Sequence, residues 1–288
     1  MRNRNMPDSP IQTFTKRILR DFEVMQRWAA NKNRYASALR RNLALGQTEV
    51  GNSLLIVANG PSAENLSQNF YRKFKAHGGR VMGMNWAHLN PVIAEEKIDY
   101  YLSADRRMVE NSEKSFGLRK YLSEQKNLTG FVPEIRLNQW EEISPETSFV
   151  PFCHYYVKHM RMPWWGLSPL YPKAFTAHSG LHALQIATWL GFEKIFIVGF
   201  DNSYFREFKL TGNNELLRTS SHAGEKSEKF LYEGDTASFL ERQAMLFRDY
   251  WLFSSGPIWN LDIESATDAF DKKSPTEALQ LLGSSSSE

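Results

Sequence analysis

Small and polar residues that could bind a ligand occur in this chain wherever a predicted strand ends or a predicted helix begins. They are Asn59, Gly60, Pro61 and Ser62 after the first strand, Asn85 after the second, Asp105 after the third, Ser179 and Gly180 at the start of a late helix, and Gly199 and Asp201 after the last strong strand. In an open parallel sheet, ligands bind outside the carboxyl ends of the strands, because helix N-termini and backbone amides converge there. The pattern therefore predicts one shared ligand site.

The turn from Asn59 to Ser62 has residue types that suit an anion. Gly60 lets the backbone approach a ligand closely, Pro61 fits the first turn of a helix, and the Asn59 and Ser62 side chains can donate hydrogen bonds. The turn matches neither the GxGxxG fingerprint nor the GxxxxGK[ST] loop, which disfavours hydride transfer and P-loop nucleotide hydrolysis. Taken alone, it is also compatible with a purely structural junction.

Two other kinds of site receive less support. His178 and His182 are four residues apart and could share a helical face as metal ligands, but the chain has no Glu at the HExxH position and no obvious third ligand. Helix capping by His178 and core packing by His182 are the favoured interpretations. Cys153 and His154 could suggest a thiol nucleophile, but adjacent residues in a strand point to opposite faces, which favours a buried structural cysteine.

The elements that must position these residues alternate between strand and helix from Gly51 onward. Predicted strands are 53–58, 80–84, 99–103 and 194–199, with weaker candidates at 131–135 and 149–153 and a final strand at 256–262; predicted helices are 63–77, 182–191 and 265–270. This alternation predicts an α/β fold, a Rossmann-like, mostly parallel sheet with helices on both faces. We assign residues 51–275 to this domain and 276–288 to a tail.

Two irregular stretches interrupt the pattern. Residues 155–175 contain Trp164 and Trp165 without helical or strand periodicity, which predicts either a lid or a packed surface loop. Residues 209–234 are polar and rich in Gly, Asn and Ser, which predicts a mobile flap or a segment that orders only with ligand.

The N-terminal segment 1–50 is basic, with ten Lys or Arg against four Asp or Glu, although the net charge of the 288-residue chain is only +3. Apolar residues at three- and four-residue steps predict a helix within 11–45, with a possible break near Asn31–Asn33. The helix could dock on the domain, or it could contact an anionic membrane surface or a partner, with Trp28 at the boundary.

Composition limits the remaining classes. The small net charge gives no reason to expect nucleic acid as a partner. A single cysteine, the absence of a signal-peptide pattern and the absence of an apolar run of membrane-spanning length predict a cytoplasmic protein, with peripheral contact at the inner membrane as the extension of the helix argument. We also expect the chain to form homo-oligomers.

Two segments, 55–62 (LIVANGPS) and 178–201 (HSGLHALQIATWLGFEKIFIVGFD), resemble the two anchor motifs of the bacterial sialyltransferases of glycosyltransferase family 42. They equally resemble a wider superfamily that includes the Maf-type flagellin glycosyltransferases and the archaeal 6-hydroxymethyl-dihydropterin diphosphokinases. The likeness covers roughly residues 53–270 and implies a GT-A-like variant of the fold with an added N-terminal helix and a flap.

The resemblance implies roles for particular residues. The nucleotide part of a CMP-sugar would contact Asn59, Gly60, Asn85, Ser179, Gly180 and Asp201. Asp105 departs from the sialyltransferase pattern, which has Asn near that position, and resembles the Maf and diphosphokinase branches instead. The flap would supply a general base, for which we assign His222, and assisting tyrosines, for which we assign Tyr204 and Tyr232, although His222 lies earlier than a simple alignment would place it.

Three functions follow as alternatives. The first is metal-independent transfer of sialic acid or a related nonulosonic acid from a CMP-activated donor to a glycan or lipid-linked acceptor, without a required cofactor and without an Asp-x-Asp metal motif. The second is magnesium-dependent pyrophosphoryl transfer from ATP to a small heterocycle, with Asp105 and Asp201 as the magnesium ligands. The third is a non-catalytic scaffold that recruits partners through the basic helix.

Overall fold

A parallel eight-stranded sheet forms the centre of the computed structural model, which describes residues 10–109, 113–157, 168–206, 208–213, 215–220, 228–231 and 236–283. The strands are β1 (Ser53–Val57), β2 (Arg80–Met84), β3 (Tyr100–Leu102), β4 (Thr129–Pro133), β5 (Ser148–Phe152), β6 (Lys194–Val198), β7 (Phe208–Leu210), β8 (Leu216–Ser220), β9 (Glu228–Leu231), β10 (Ile258–Asn260) and β11 (Asp271–Lys272). The central sheet has the order β11-β10-β6-β1-β2-β3-β4-β5, and every pair in it is parallel. The strand order reverses between β1 and β6, so the switch point lies there.

Helices cover both faces of this sheet. They are α1 (Pro10–Asn42), α2 (Gln68–Ala76), α3 (Pro91–Glu95), α4 (Glu113–Glu124), α5 (Leu137–Ile143), α6 (Ser179–Leu190), α7 (Thr236–Tyr250) and α8 (Pro275–Gly283). In β1, Leu55 and Val57 pack in the same core as Phe74 of α2, whereas Leu54 and Ile56 pack in the core that contains Leu184 of α6. Alternate residues of one strand thus pack into two hydrophobic cores, one on each face of the sheet. The predicted fold class is confirmed.

The helix predicted over 63–77 is divided in two. Residues Pro61–Asn65 form a 3₁₀ turn, and α2 begins only after Ser67, whose hydroxyl accepts a hydrogen bond of 3.1 Å from the Phe70 amide. This N-cap satisfies an amide that the start of the helix would leave unpaired. Directly before the 3₁₀ turn, the Gly60 amide donates a bond of 3.0 Å to the Gly199 carbonyl beyond β6.

The predicted helix over 265–270 is wrong. The Ser265 and Thr267 hydroxyls donate hydrogen bonds of 2.8 and 3.1 Å to the backbone oxygen of Phe200, and these local bonds compete with helix formation. The segment assigned to a tail contains α8, where Ala278 and Leu282 are buried in the core that α2 shares.

The stretch predicted as an irregular flap contains regular structure. Strands β7, β8 and β9 form a three-stranded antiparallel sheet, which differs from the irregular backbone expected for the described parts of 209–234. In the other irregular stretch, Tyr156 and Lys173 form an isolated parallel bridge. Trp164 and Trp165 lie outside the described residues, so the predicted lid or packed loop stays a prediction.

Helix α1 runs without a break through Asn31–Asn33. Its Trp28 ring lies 6.3 Å from the Tyr171 ring, and Arg17 donates a hydrogen bond of 2.9 Å to Glu241 of α7. The Phe14 and Phe22 side chains are 64% and 54% exposed. The helix therefore docks on the domain and also presents apolar rings to solvent. Within the described part of the chain, no helix combines the length and the hydropathy that crossing a bilayer requires.

Candidate functional site

A pocket of about 200 Å³ opens at the switch point, at the carboxyl ends of β1, β2 and β6 and the N-terminus of α6. We call it the rim pocket. The predicted site residues that line it are Asn59, Gly60, Pro61, Asn85, Asp105, Ser179, Gly180, Gly199 and Asp201. Segments separated by up to about half of the chain thus meet at one edge of the sheet, as the strand-end argument predicts.

Asn85 fastens three elements of the rim pocket together. Its Nδ2 donates a hydrogen bond of 2.8 Å to the Ser179 hydroxyl at the start of α6. Its Oδ1 accepts bonds of 3.1 and 3.3 Å from the amides of Ala104 and Asp105 beyond β3. The backbone φ of Asn85 is +45°, a left-handed conformation that asparagine tolerates better than most residues, and the Tyr101 hydroxyl donates to its carbonyl.

Gly60 permits the closest approach in the site. A Cβ atom at this position would lie 1.8 Å from Asp201 Oδ2 and 2.5 Å from the carbonyl oxygen of Gly199. The Gly60 amide donates a bond of 3.0 Å to that same carbonyl. Glycine is therefore required here by the contact between the β1 and β6 turns, independently of any ligand.

Ser62 does not line the rim pocket, which corrects its assignment as a direct ligand contact. Its hydroxyl donates a bond of 2.8 Å to Asp201 Oδ2 and accepts one of 3.0 Å from the Gly199 amide, and its own amide donates to Asp201 Oδ1 at 3.1 Å. The position of Ser62 in the fold makes it a support for Asp201 instead.

The environment of Asp201 raises the pKa of its carboxyl group. Burial raises the pKa of this carboxyl group, the two hydrogen bonds from Ser62 oppose the rise, and the charge of Asp262 adds to it, so that the pKa lies above the ordinary value. Loss of solvent penalises a carboxylate more than a neutral acid, which explains the direction.

Asp105 has the opposite environment. Burial alone would raise its pKa, but hydrogen bonds from the Arg107 side chain and amide, with the charges of Arg107 and Arg136, lower it below the ordinary value. The Arg107 guanidinium contacts both carboxylate oxygens, with the shortest N–O distance at 2.5 Å. Asp105 is therefore an ionised group that is already paired.

His178 caps α6, as predicted. Its Nδ1 accepts a bond of 3.2 Å from the Gly180 amide, and burial lowers the pKa of the imidazole to about 4. The ring is therefore neutral at pH 7 and carries its proton on Nε2. Because the lone-pair nitrogen Nδ1 already accepts the Gly180 amide, His178 is poorly suited as a general base.

Asn59 lines the rim pocket, and its side-chain oxygen Oδ1 is buried without a hydrogen-bond partner among the described residues. A buried amide oxygen without a partner costs free energy.

The residues weighed for other chemistry have structural roles. His182 is buried against Phe152, with ring centroids 4.6 Å apart, and burial raises the pKa of the Cys153 thiol to about 12. The thiol is therefore protonated at neutral pH and unreactive. Across the described ranges, His, Cys, Asp and Glu side chains form no cluster of three or more suited to a metal ion.

The three residues assigned to catalysis remain predictions. His222 and Tyr232 lie outside the described residues. Tyr204 lies in the 3₁₀ turn Ser203–Arg206 directly after the Asp201 turn, and its side chain is not among those described.

Sequence reasoning missed eight further residues that line the rim pocket, among them Trp86, Arg107 and His178. Each lies within two residues of a predicted one, at the same strand ends or helix start. Extending every strand-end assignment by two residues would have included them.

No protein-family model and no curated protein matches this sequence. Among solved structures, the chain is similar to the structure of MAf glycosyltransferase from Magnetospirillum magneticum AMB-1, with a TM-score of 0.46 and 11% sequence identity. The similarity covers 96% of this chain but only 46% of that longer chain.

Proposed function

We propose that this protein is a glycosyltransferase that binds a CMP-activated nonulosonic acid in the rim pocket and transfers the sugar to a glycan or lipid-linked acceptor. The observation that carries the proposal is the convergence of Asn59, Asn85 and Ser179 around one pocket at the switch point of a parallel sheet. The CMP donor and the nonulosonic acid rest on the resemblance of segments 55–62 and 178–201 to the sialyltransferase motifs.

The pocket suits a phosphate ester. Ser179 and Gly180 at the N-terminus of the 12-residue helix α6 line the rim pocket, and the helix dipole favours a negative charge there. The amide of Asn59 and the Ser179 hydroxyl are hydrogen-bonding groups beside it. Gly60 has no side chain, so a ligand can approach the backbone of the turn after β1 closely.

The proposed reaction uses an acceptor hydroxyl as nucleophile. Its oxygen forms a bond to the anomeric carbon while the bond from that carbon to the phosphate oxygen breaks, and CMP leaves with the electron pair. The hydroxyl proton passes to a base, for which we propose His222, with Tyr204 and Tyr232 assisting departure of the phosphate. Asn59 and the dipole at the N-terminus of α6 would stabilise the charge that develops on the leaving phosphate.

The geometry of the two acids favours this reaction over pyrophosphoryl transfer. Asp105 is paired with the Arg107 guanidinium through both oxygens, and both oxygens of Asp201 accept bonds from Ser62. A magnesium ion held between these carboxylates would have to share or displace those bonds. We therefore keep the metal-independent reaction as the proposal.

The basic charge and the exposed apolar side chains of helix α1 indicate where the acceptor would be met. Between residues 10 and 42 the chain has eight Lys or Arg and two acidic residues, and the exposed Ile11, Phe14 and Phe22 recur at helical spacing. Basic charge beside exposed apolar rings suits an anionic membrane surface. Peripheral binding there would place the enzyme near a lipid-linked acceptor.

A thermal-shift comparison of CMP, CDP, UDP, GDP and ATP, each with and without magnesium, tests the proposal. CMP without metal should raise the melting temperature most, because a ligand that binds only the folded state stabilises it. Asn59→Ala should lose the shift, and the exposed α5 variant Asn138→Ala should keep it. His222→Ala should keep the shift and lose turnover. Stabilisation only by ATP with magnesium, or by none of the nucleotides, would overturn the proposal.

A further inference from the structure

A second pocket continues the rim pocket along the same edge of the sheet. We call it the side pocket; its volume is about 350 Å³. The two pockets share Asp105, His178 and Ser179 in their walls. One extended ligand could therefore occupy both.

The strand order explains why the side pocket lies there. Arg106 follows β3, Arg136 follows β4, and His154 and Tyr156 follow β5, so the pocket is built at the carboxyl ends of the three strands beyond β2. Neighbouring strands are about 4.8 Å apart, which puts the end of β4 about 14 Å from the end of β1. That span is comparable to the reach of a nucleoside phosphate with an attached sugar.

The wall of the side pocket is positively charged. Arg106 and Arg136 line it. The charge of Arg136 contributes to the lowered pKa of Asp105. Burial is the main cause of the lowered pKa of His154, which is about 4, and the charge of Arg136 is the next cause. His154 is therefore neutral, and the negative charge of Asp105 is already matched by Arg107. An arginine has five N–H donors in a planar fork, so even one with a protein partner can bind an oxyanion.

One histidine of the side pocket is buried. His182 also lines the side pocket and is 1% exposed. The Tyr156 hydroxyl forms a hydrogen bond with Nε2 of His182, and burial lowers the pKa of the His182 ring well below the ordinary value. With the hydroxyl as donor, the neutral ring carries its proton on Nδ1, and that atom has no hydrogen-bond partner in the part of the chain that the structure describes.

We propose that the side pocket binds a compact oxyanion on the group attached to the nucleoside phosphate, with Arg106 and Arg136 as its recognition residues. This inference rests on the proposed function, because it assigns the second half of the same ligand. The oxyanion is either the carboxylate of the transferred sugar or a second phosphate, and both have the planar or tetrahedral oxygen pairs that guanidinium groups bind.

Calorimetric titration of the full chain separates these sources. The probes are CMP, CMP-3-fluoro-N-acetylneuraminate, which carries the carboxylate and resists transfer, and CDP. We expect one of the two extended ligands to bind at least about ten-fold more tightly than CMP, and Arg136→Gln or Arg106→Gln to remove that gain while CMP affinity stays within about two-fold. A gain with the fluorosugar identifies the carboxylate, and a gain with CDP identifies the phosphate.

The control is Arg72→Gln, which removes an exposed arginine of α2 that is outside both pockets. Using two arginine variants keeps the test usable if one of them fails to fold. If CMP does not bind to the wild-type chain, the proposed function fails. If CMP binds but neither extended ligand gains affinity, or the gain survives in both arginine variants, the function stands and the oxyanion site is overturned.

Discussion

The Asn85 side chain donates a 2.8 Å hydrogen bond to the Ser179 hydroxyl, across 94 residues of sequence. This bond joins the carboxyl end of β2 to the N-terminus of α6, so it fixes the width of the rim pocket. Asn85 also accepts bonds from the amides of Ala104 and Asp105. One amide side chain therefore joins three segments that line the rim pocket.

Replacing Asn85 should cost stability through two separable causes. Asn85→Ala removes the three side-chain bonds and places alanine at a φ of +45°, and we expect a loss of about 3 kcal/mol in the free energy of unfolding. Asn85→Gly removes the same bonds without the backbone strain and should lose about 1 kcal/mol less. Urea unfolding of both variants measures the difference. Equal losses would show that backbone strain does not contribute.

Gly60→Ala should disrupt the site, because the added methyl group would overlap the Asp201 carboxylate and the Gly199 carbonyl. We expect a lower melting temperature and about a ten-fold or greater loss of CMP affinity, since the turn must move outward into the rim pocket. The matched control is Gly212→Ala, where the space around the new methyl group is open. Normal stability and normal CMP binding of Gly60→Ala would show that the contact between the two turns is not tight.

Glu134 should make stability depend on pH. Burial raises the pKa of its carboxyl group from 4.5 to about 7, although two backbone hydrogen bonds and the charge of Lys173 oppose the shift. Because the folded pKa lies above the unfolded one, this group's contribution to stability is fully present below pH 4.5 and is lost as the pH rises to about 7.

Glu134→Gln should remove the loss of stability at high pH, because glutamine does not ionise. The variant should match the wild type near pH 4.5 and exceed it at pH 8 by about 3 kcal/mol, which corresponds to a melting temperature about 5 °C higher. Melting curves across this range measure the effect, with the exposed α5 variant Glu142→Gln as control. A difference that stays constant with pH would contradict the assigned cause.

Helix α1 should bind anionic vesicles. The full chain should co-sediment with phosphatidylglycerol vesicles and much less with phosphatidylcholine vesicles. Phe14→Ser combined with Phe22→Ser should lower the bound fraction about five-fold without lowering stability, because both rings are largely exposed. The control is Phe116→Ser, which removes a 69% exposed ring on α4. Equal binding to both vesicle types would show that charge does not drive the contact.

The sheet and most of the rim pocket could be predicted because their signals are local. The runs that form β1 and β6 are short, apolar and followed by glycine or polar residues, and parallel strands bring such ends together whatever the distance along the chain. The positions of Asn59 and Asn85 in the wall of the rim pocket follow from that rule alone.

What failed depends on contacts between distant segments. Ser62 has the residue type of a ligand contact, but its hydroxyl is bound to Asp201, a partner 139 residues away. The stretch Ser265–Phe270 forms no helix because the hydroxyls of Ser265 and Thr267 donate hydrogen bonds to the Phe200 carbonyl. The side pocket has no clear signal in the sequence, because β4 ends in Pro133 and has only a weak strand pattern, and Arg136 lies three residues beyond that end.

Calorimetric titration of CMP into the wild-type chain, in buffer with EDTA, tests the central claim most directly. The account predicts saturable binding of one CMP per chain, and about a ten-fold or greater loss of affinity in Asn59→Ala with Asn138→Ala unchanged. Absence of CMP binding, or equal affinity in wild type and Asn59→Ala, would contradict the claim that the rim pocket holds a nucleoside phosphate.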